Sequence, residues 1–207
     1  SIINNAKPKD GKTEVLSKKY LTTIRMVLNM FIKYGYENGY CEPFYGTLYV
    51  PQGHPTKGKE ILQPSEIKRL FEPSEYHYHL GLCFLVVTGL RPGEMLGLQW
   101  SDIEAESFTI KRSVNNSRQI TECKNKNAQR VIPLSPIVRG ILDRQRDRTK
   151  HLKSEWIFCS PTGERGSQQT LQHHMAFLCK ERNLTNVSPY SLRHTFISII
   201  KFSAIPE

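Results

Sequence analysis

Arg91 stands where an arginine is hard to place. It lies within TGLRPGEMLGLQWSD (Thr88 to Asp102), among Leu90, Met95, Leu96 and Leu98, and follows the apolar run Leu80 to Val87. A guanidinium taken out of water without a partner costs several kcal/mol. Glu94, three residues on, falls on the same helical face and can orient it. Two uses fit this pair: a structural ion pair, or a cation held ready for an anion. A second arginine, Arg193, sits near the start of SPYSLRHTFI (Ser188 to Ile197), next to Tyr190, His194 and Thr195. Between the two lies KNKNAQRVIPL (Lys124 to Leu134), which carries Lys124, Lys126 and Arg130. Paired guanidiniums match the oxygens of a phosphate with forked donors, which a lysine does less well as a point charge.

The bulk charge agrees with an anionic partner. The 207 residues carry a net charge of +10, which favours a polyanion, nucleic acid ahead of an anionic membrane surface. No apolar run reaches membrane-spanning length, and the opening SIINNAKPKDGK is polar and basic rather than a signal peptide. A membrane partner is therefore not expected, and the location expected is cytoplasmic. The five cysteines (Cys41, Cys83, Cys123, Cys159, Cys179) are widely spaced and form no C-x-x-C pair. They read as reduced and mostly buried thiols, with no metal site and no small-molecule cofactor. His173-His174 has no carboxylate or cysteine to complete a ligand set, and reads as part of a polar helix face.

The elements that must position these residues are mostly helical. From Ser17, Tyr20, Leu21, Ile24, Val27, Leu28 and Phe31 recur at spacings of three and four, leaving Lys18, Lys19, Arg25 and Lys33 off the stripe. A single amphipathic helix cannot bury such a stripe alone. Residues 44–61 hold Gly46, Pro51, Gly53, Pro55 and Gly58 with Lys57 and Lys59, the composition of a linker or a surface loop. A helix is expected from Leu62, with Pro64 in its first turn, and another over Glu75 to Val87. Strand chemistry follows at Phe108 to Ile110, at Ile120-Thr121 and at Gln129 to Leu134, with a turn at Asn115 to Ser117. Helices are then expected from Ser135-Pro136, over Ser167 to Arg182, and from Pro189, with Trp156 to Cys159 as a short buried strand. The basic run Arg144, Arg146, Arg148, Lys150 and Lys153 fits either a solvated helix face or a DNA contact. The expected fold class is mainly α with a small antiparallel β-sheet (α+β).

Taken together, three segments resemble the tyrosine recombinase (phage integrase) family. They are TGLRPGEMLGLQWSDI around Arg91, KNKNAQRVIPL beside a family pattern written K-T-K-x-x-x-R-x-I-P-L, and YSLRHTF beside H-x-L-R-H-T-F. They occur in the family's order across residues from about 60 to 207. The resemblance implies that residues 1–43 are the C-terminal part of a helical core-binding domain, 44–61 an interdomain linker, and 62–207 a catalytic domain lacking its C-terminal His/Tyr segment. It implies a site-specific recombinase, an integrase of a mobile element that cuts and rejoins DNA through a 3′-phosphotyrosyl intermediate. The implied partner is double-stranded DNA at recombination sites, with self-association on DNA in the intact protein.

The resemblance also implies roles. Arg91 and Arg193 would clamp the non-bridging oxygens of the scissile phosphate, and Glu94 would hold Arg91. Lys124 would protonate the departing 5′ oxygen, with Lys126 as the nearby alternative. Lys18, Lys19, Arg25, Lys57, Lys59, Lys126, Arg130 and His194 would contact DNA. Two departures stand out. Tyr190 occupies the family's usual histidine position; a phenol with a reference pKa of about 10 donates to phosphate but is a poor base at neutral pH. No tyrosine follows Tyr190 in this sequence, so no nucleophile is assigned, and the chain is expected not to complete strand cleavage by itself. The competing readings are a truncated, non-catalytic DNA-binding repressor of recombination and a type IB topoisomerase.

Overall fold

The computed structural model describes residues 16–51, 60–122 and 129–203. The chain forms two compact units, Ser1–Gly58 and Lys59–Glu207. In the first, helix α1 spans Lys18–Glu37, and the Ser17 side chain caps it by accepting from the Tyr20 amide. Gly39 closes its C-terminal end in the left-handed region, at φ 72°. The expected apolar stripe is real but largely uncovered. Leu21 is buried, whereas Tyr20, Val27 and Phe31 are exposed, together with Met30 and Tyr34.

The second unit is built on a helix that is apolar on all sides. Helix α3 (His79–Thr88) is buried from His79 to Val86. It packs against α5 (Pro136–Thr149), α6 (Gln168–Glu181) and α7 (Pro189–Ser203). The Phe84 ring sits 5.0 Å from Phe158 and 5.7 Å from Phe108 and joins the helical layer to the strands. Helix α2 (Pro64–Leu70) leads in, with Glu66 Oε2 accepting from the Gln63 amide at 2.7 Å. Helix α4 (Pro92–Leu96) follows α3 after a tight loop.

Helix α3 begins four residues later than the periodicity suggests. Residues 75–78 are drawn into a loop, where the Arg148 guanidinium donates to the carbonyls of Ser74 and Glu75. Arg146 in the same basic run lies over the Trp100 ring at 4.5 Å. Both cations therefore serve the packing of this unit.

The strand chemistry resolves into two antiparallel ladders. β1 (Ser107–Ile110) pairs with β4 (Arg130–Pro133), Ile110 opposite Arg130. β2 (Arg112–Val114) pairs with β3 (Ile120–Glu122) around the turn at Asn115 to Arg118. β2 was not anticipated, because Arg112-Ser113-Val114 lacks the apolar alternation that marks a strand. Trp156 to Cys159 is buried as expected but is not a strand. It makes one bridge, Trp156 with Gln99, and then turns, the Ile157 carbonyl being taken by the Gln145 side chain.

Candidate functional site

The site grows from the end of α3. Gly89 caps that helix at φ +63°, a conformation that glycine adopts without a Cβ penalty. It also makes room: a Cβ there would lie 2.1 Å from Cδ1 of Phe196 on α7. The chain reverses through Gly89-Leu90 and places Arg91 in extended conformation as the N-cap of α4, with Pro92 preset at the first helical position.

Arg91 is oriented by its own helix. Its backbone N–H donates to Glu94 Oε2 and its Nη1 to Glu94 Oε1, both at 2.9 Å. Glu94 is 5 % exposed, while the Arg91 side chain keeps 52 % of its surface in solvent. Nη1 of the guanidinium is thus fixed on Glu94, while about half of the side chain stays open to solvent. Glu94, through a hydrogen bond and its charge, raises the Arg91 pKa above the usual arginine value against the effect of burial, and the Tyr190 hydroxyl adds to it. Burial pushes the Glu94 carboxyl up, but Arg130, the Arg91 amide and the Arg91 side chain outweigh it and hold the group below its ordinary value.

Arg193 comes to the same loop from the other side. From the first turns of α7, its Nη1 donates to the Gly89 carbonyl at 2.6 Å. Leu192 and Thr195 are buried on either side, and Thr195 Oγ1 accepts from the Leu62 amide at 3.1 Å, so α7 cannot easily rotate. Tyr190, one turn earlier, is 46 % exposed, and its ring meets His194 edge-on at 5.4 Å. It borders an open cavity of about 390 Å³ that also touches Pro92, Gln168, Gln172, His173 and Ser188. Of these, Gln168, Gln172, His173 and Ser188 carry side chains that can hydrogen-bond.

The structure thus brings Arg91, Glu94, Tyr190 and Arg193 around one loop, with His194 against Tyr190. It places Arg130 on Glu94, through Nη1 to Oε1 at 3.2 Å and Nη2 to Oε2 at 2.8 Å. Lys124, Lys126, Lys57 and Lys59 lie outside the described residues, as does Cys123. Lys18, Lys19 and Arg25 are on α1 of the first unit; both lysines are exposed and Arg25 is half-buried. The histidine pair divides. His173 is exposed, whereas His174 turns inward, accepts from the Tyr78 amide at Nδ1 and packs on Tyr76. Among the described residues, no group of three or more His, Cys, Asp or Glu is placed to hold a metal ion. None of the described helices is long and apolar enough to cross a membrane.

Two supporting residues are not among those singled out from the sequence. Asp102, 2 % exposed, accepts from Arg112 at 2.6 Å, from Lys111 at 3.1 Å and from the Gln99 amide at 2.9 Å. It ties the turn after α4 to β2, the strand against which α4 packs. Arg182, 9 % exposed, donates to the carbonyls of Arg69, Leu70, Glu72 and Pro73 and closes the C-terminal end of α2. Apart from the Gln99 amide, three residues before Asp102, these contacts join groups further apart along the chain or draw on main-chain carbonyls, so spacing does not give them.

Comparison with known proteins places the chain as a whole. The sequence profile of the phage integrase family matches residues 60–204, well over half of the chain. A tyrosine recombinase XerC-like protein of Caldanaerobacter subterraneus is 28 % identical over 158 residues, covering 66 % of this chain and 40 % of that protein. The ICEBs1 integrase of Bacillus subtilis is 25 % identical over 164 residues, covering 70 % of this chain and 44 % of its own length. The chain therefore spans less than half the length of these curated relatives. Among solved structures, the Tn1549 transposon integrase in complex with transposon right end DNA superposes with a TM-score of 0.75. It covers 92 % of this chain and 69 % of that one at 19 % identity, a likeness of fold.

Proposed function

The chain belongs to the phage integrase (tyrosine recombinase) family, and on that premise we propose that it is part of a site-specific DNA recombinase whose Arg91 and Arg193 grip one backbone phosphate. The observation that carries this reading is the shared loop. Arg193 is bonded to the Gly89 carbonyl and Arg91 follows two residues later, with its outer edge open to solvent.

Attack on a phosphodiester adds negative charge to the non-bridging oxygens. Guanidiniums held before the reaction stabilise that charge without having to reorganise as it develops. In the whole protein the attacking group is a tyrosine hydroxyl, whose oxygen bonds to phosphorus as the bond to the 5′ oxygen breaks. Lys124 gives its proton to that departing oxygen. Tyr190 stands beside Arg91 and donates its phenolic hydrogen bond to the phosphate; it takes no proton. His194 holds the Tyr190 ring. The first unit, with Lys18, Lys19 and Arg25, belongs to a helical core-binding module, and residues 44–61 link it to the catalytic unit. Lys57, Lys59 and Lys126 add phosphate contacts, and copies of the whole protein associate on the DNA. The resemblance of Arg91, Lys124 and Arg193 to the family's motifs supports these assignments, as does the DNA end bound by the Tn1549 integrase.

The test is the salt dependence of binding to duplex DNA, followed by fluorescence anisotropy. Phosphate contacts make log K fall linearly with log [salt], nearly alike for unrelated sequences. Affinity that stays constant from low to moderate salt would rule out the proposed grip.

A further inference from the structure

Glu94 holds more than Arg91. Its two oxygens accept four donors: the Arg91 amide, Arg91 Nη1, Arg130 Nη1 and Arg130 Nη2. A carboxylate has about four acceptor positions, so this one is filled. Arg130 enters from β4 and commits the paired edge of its fork to Glu94, leaving its side chain 33 % exposed against 52 % for Arg91. Of the two arginines on this carboxylate, Arg91 therefore presents the freer edge.

We propose that Arg130 is a positioning residue that keeps the Arg91 guanidinium available to phosphate by fixing and neutralising Glu94. This rests on the phosphate-grip reading above and adds a part to it. The charge balance gives the reason. Arg91 with Glu94 alone is a neutral pair with little attraction for an anion. With Arg130 the trio carries one net positive charge, presented on the exposed Arg91 edge. The geometry acts in the same direction. If Arg130 were absent, two acceptor positions on Glu94 would open, and the carboxylate could turn to take the donors Arg91 offers outward. Arg130 is also the foremost influence drawing the Glu94 carboxyl down against the effect of burial. The groups facing Glu94 are Arg91 on its own helix and Arg130 from β4, both permanently cationic.

A double-mutant cycle in duplex affinity, run on the full chain at fixed low salt, separates this role from direct DNA contact. Arg91→Ala should weaken binding on the order of tenfold, the weight of one charge-assisted hydrogen bond. Arg130→Ala should weaken it several-fold, and in the Arg91→Ala background should weaken it no further. Arg130→Lys keeps the charge and should restore part of the loss. If Arg130→Ala costs the same with and without Arg91, then Arg130 touches DNA itself and the proposal is wrong. A full-affinity Arg130→Ala protein overturns it equally. If Arg91→Ala costs nothing, the phosphate grip fails, and that outcome differs from either of the others. Carbon-13 titration of the Glu94 carboxyl gives a second readout. Its midpoint should rise in Arg130→Ala, and an unmoved midpoint would show that Arg130 does not govern Glu94. Thermal melts of each variant confirm that the compared proteins are folded.

Discussion

Gly89→Ala strikes the point on which both arginines depend, and its cost can be worked out from the structure. Alanine at φ +63° bears a left-handed penalty of about 1 kcal/mol. Its Cβ would lie 2.1 Å from Cδ1, 2.6 Å from Cε1 and 2.9 Å from Cγ of Phe196, where carbon contacts normally begin near 3.5 Å. The ring must therefore withdraw by roughly 1.5 Å to reach that contact distance. It cannot do so freely, because α7 is pinned by the buried Leu192 and Thr195. Forced displacement in a packed site adds roughly 1–3 kcal/mol, for a total of about 2–4 kcal/mol. In a unit of this size that lowers Tm by roughly 4–16 °C. Gly163→Ala is the control in the same unit. It also has positive φ, at +84°, but its nearest neighbour is the Leu152 carbonyl oxygen at 3.1 Å. Differential scanning calorimetry of both variants should show the larger drop for Gly89→Ala. DNA affinity should fall with it, since the Arg193 anchor is the Gly89 carbonyl. Equal melting temperatures for the two variants would refute the idea that Gly89 is required to seat Phe196.

Two further outcomes follow from buried polar groups. Arg182→Ala leaves the carbonyls of Arg69, Leu70, Glu72 and Pro73 without this donor. It should cost about 3–5 kcal/mol in denaturant unfolding, while Arg69→Ala at a more exposed position should cost far less. Stability should also fall on mild acidification. Burial lowers the pKa of His77, His79 and His174 below the ordinary 6.5. Groups with depressed folded-state pKa values contribute stability that is complete above 6.5 and is lost as pH falls through the folded values. Melts from pH 8 to pH 5 should show that decline, and His79→Asn should flatten it. A profile that is level down to pH 5 would contradict the assignment.

Much of the architecture was legible because its causes are local. The stripe of α1 and the Ser135-Pro136 start of α5 each follow from neighbours within one or two turns. Arg91 and Glu94 were legible as a pair for the same reason, being three residues apart. What escaped is what joins distant segments. Arg130 reads as one more cation in a basic hairpin, and its partner Glu94 lies 36 positions away. The four-residue delay of α3 arises from Arg148, more than 70 positions downstream. β2 is a strand because β3 is beside it, not because Arg112-Ser113-Val114 favours one. Asp102 looks like a helix-capping aspartate, and only the fold brings Lys111 and Arg112 onto it. Tertiary placement determines these roles, and a linear pattern carries little trace of it.

The central claim is that Arg91 and Arg193 converge on a single phosphate. It is tested most directly by the slope of log K against log [salt] for duplex binding, measured for the wild type, Arg91→Ala, Arg193→Ala and the double variant. Each neutralised phosphate contributes about 0.9 to that slope. Two arginines on one phosphate should together account for about 0.9, so the double variant should lose no more than that, with both singles losing affinity. Losses that add to about 1.8 would mean that the arginines hold separate phosphates. An unchanged slope would mean that they hold none.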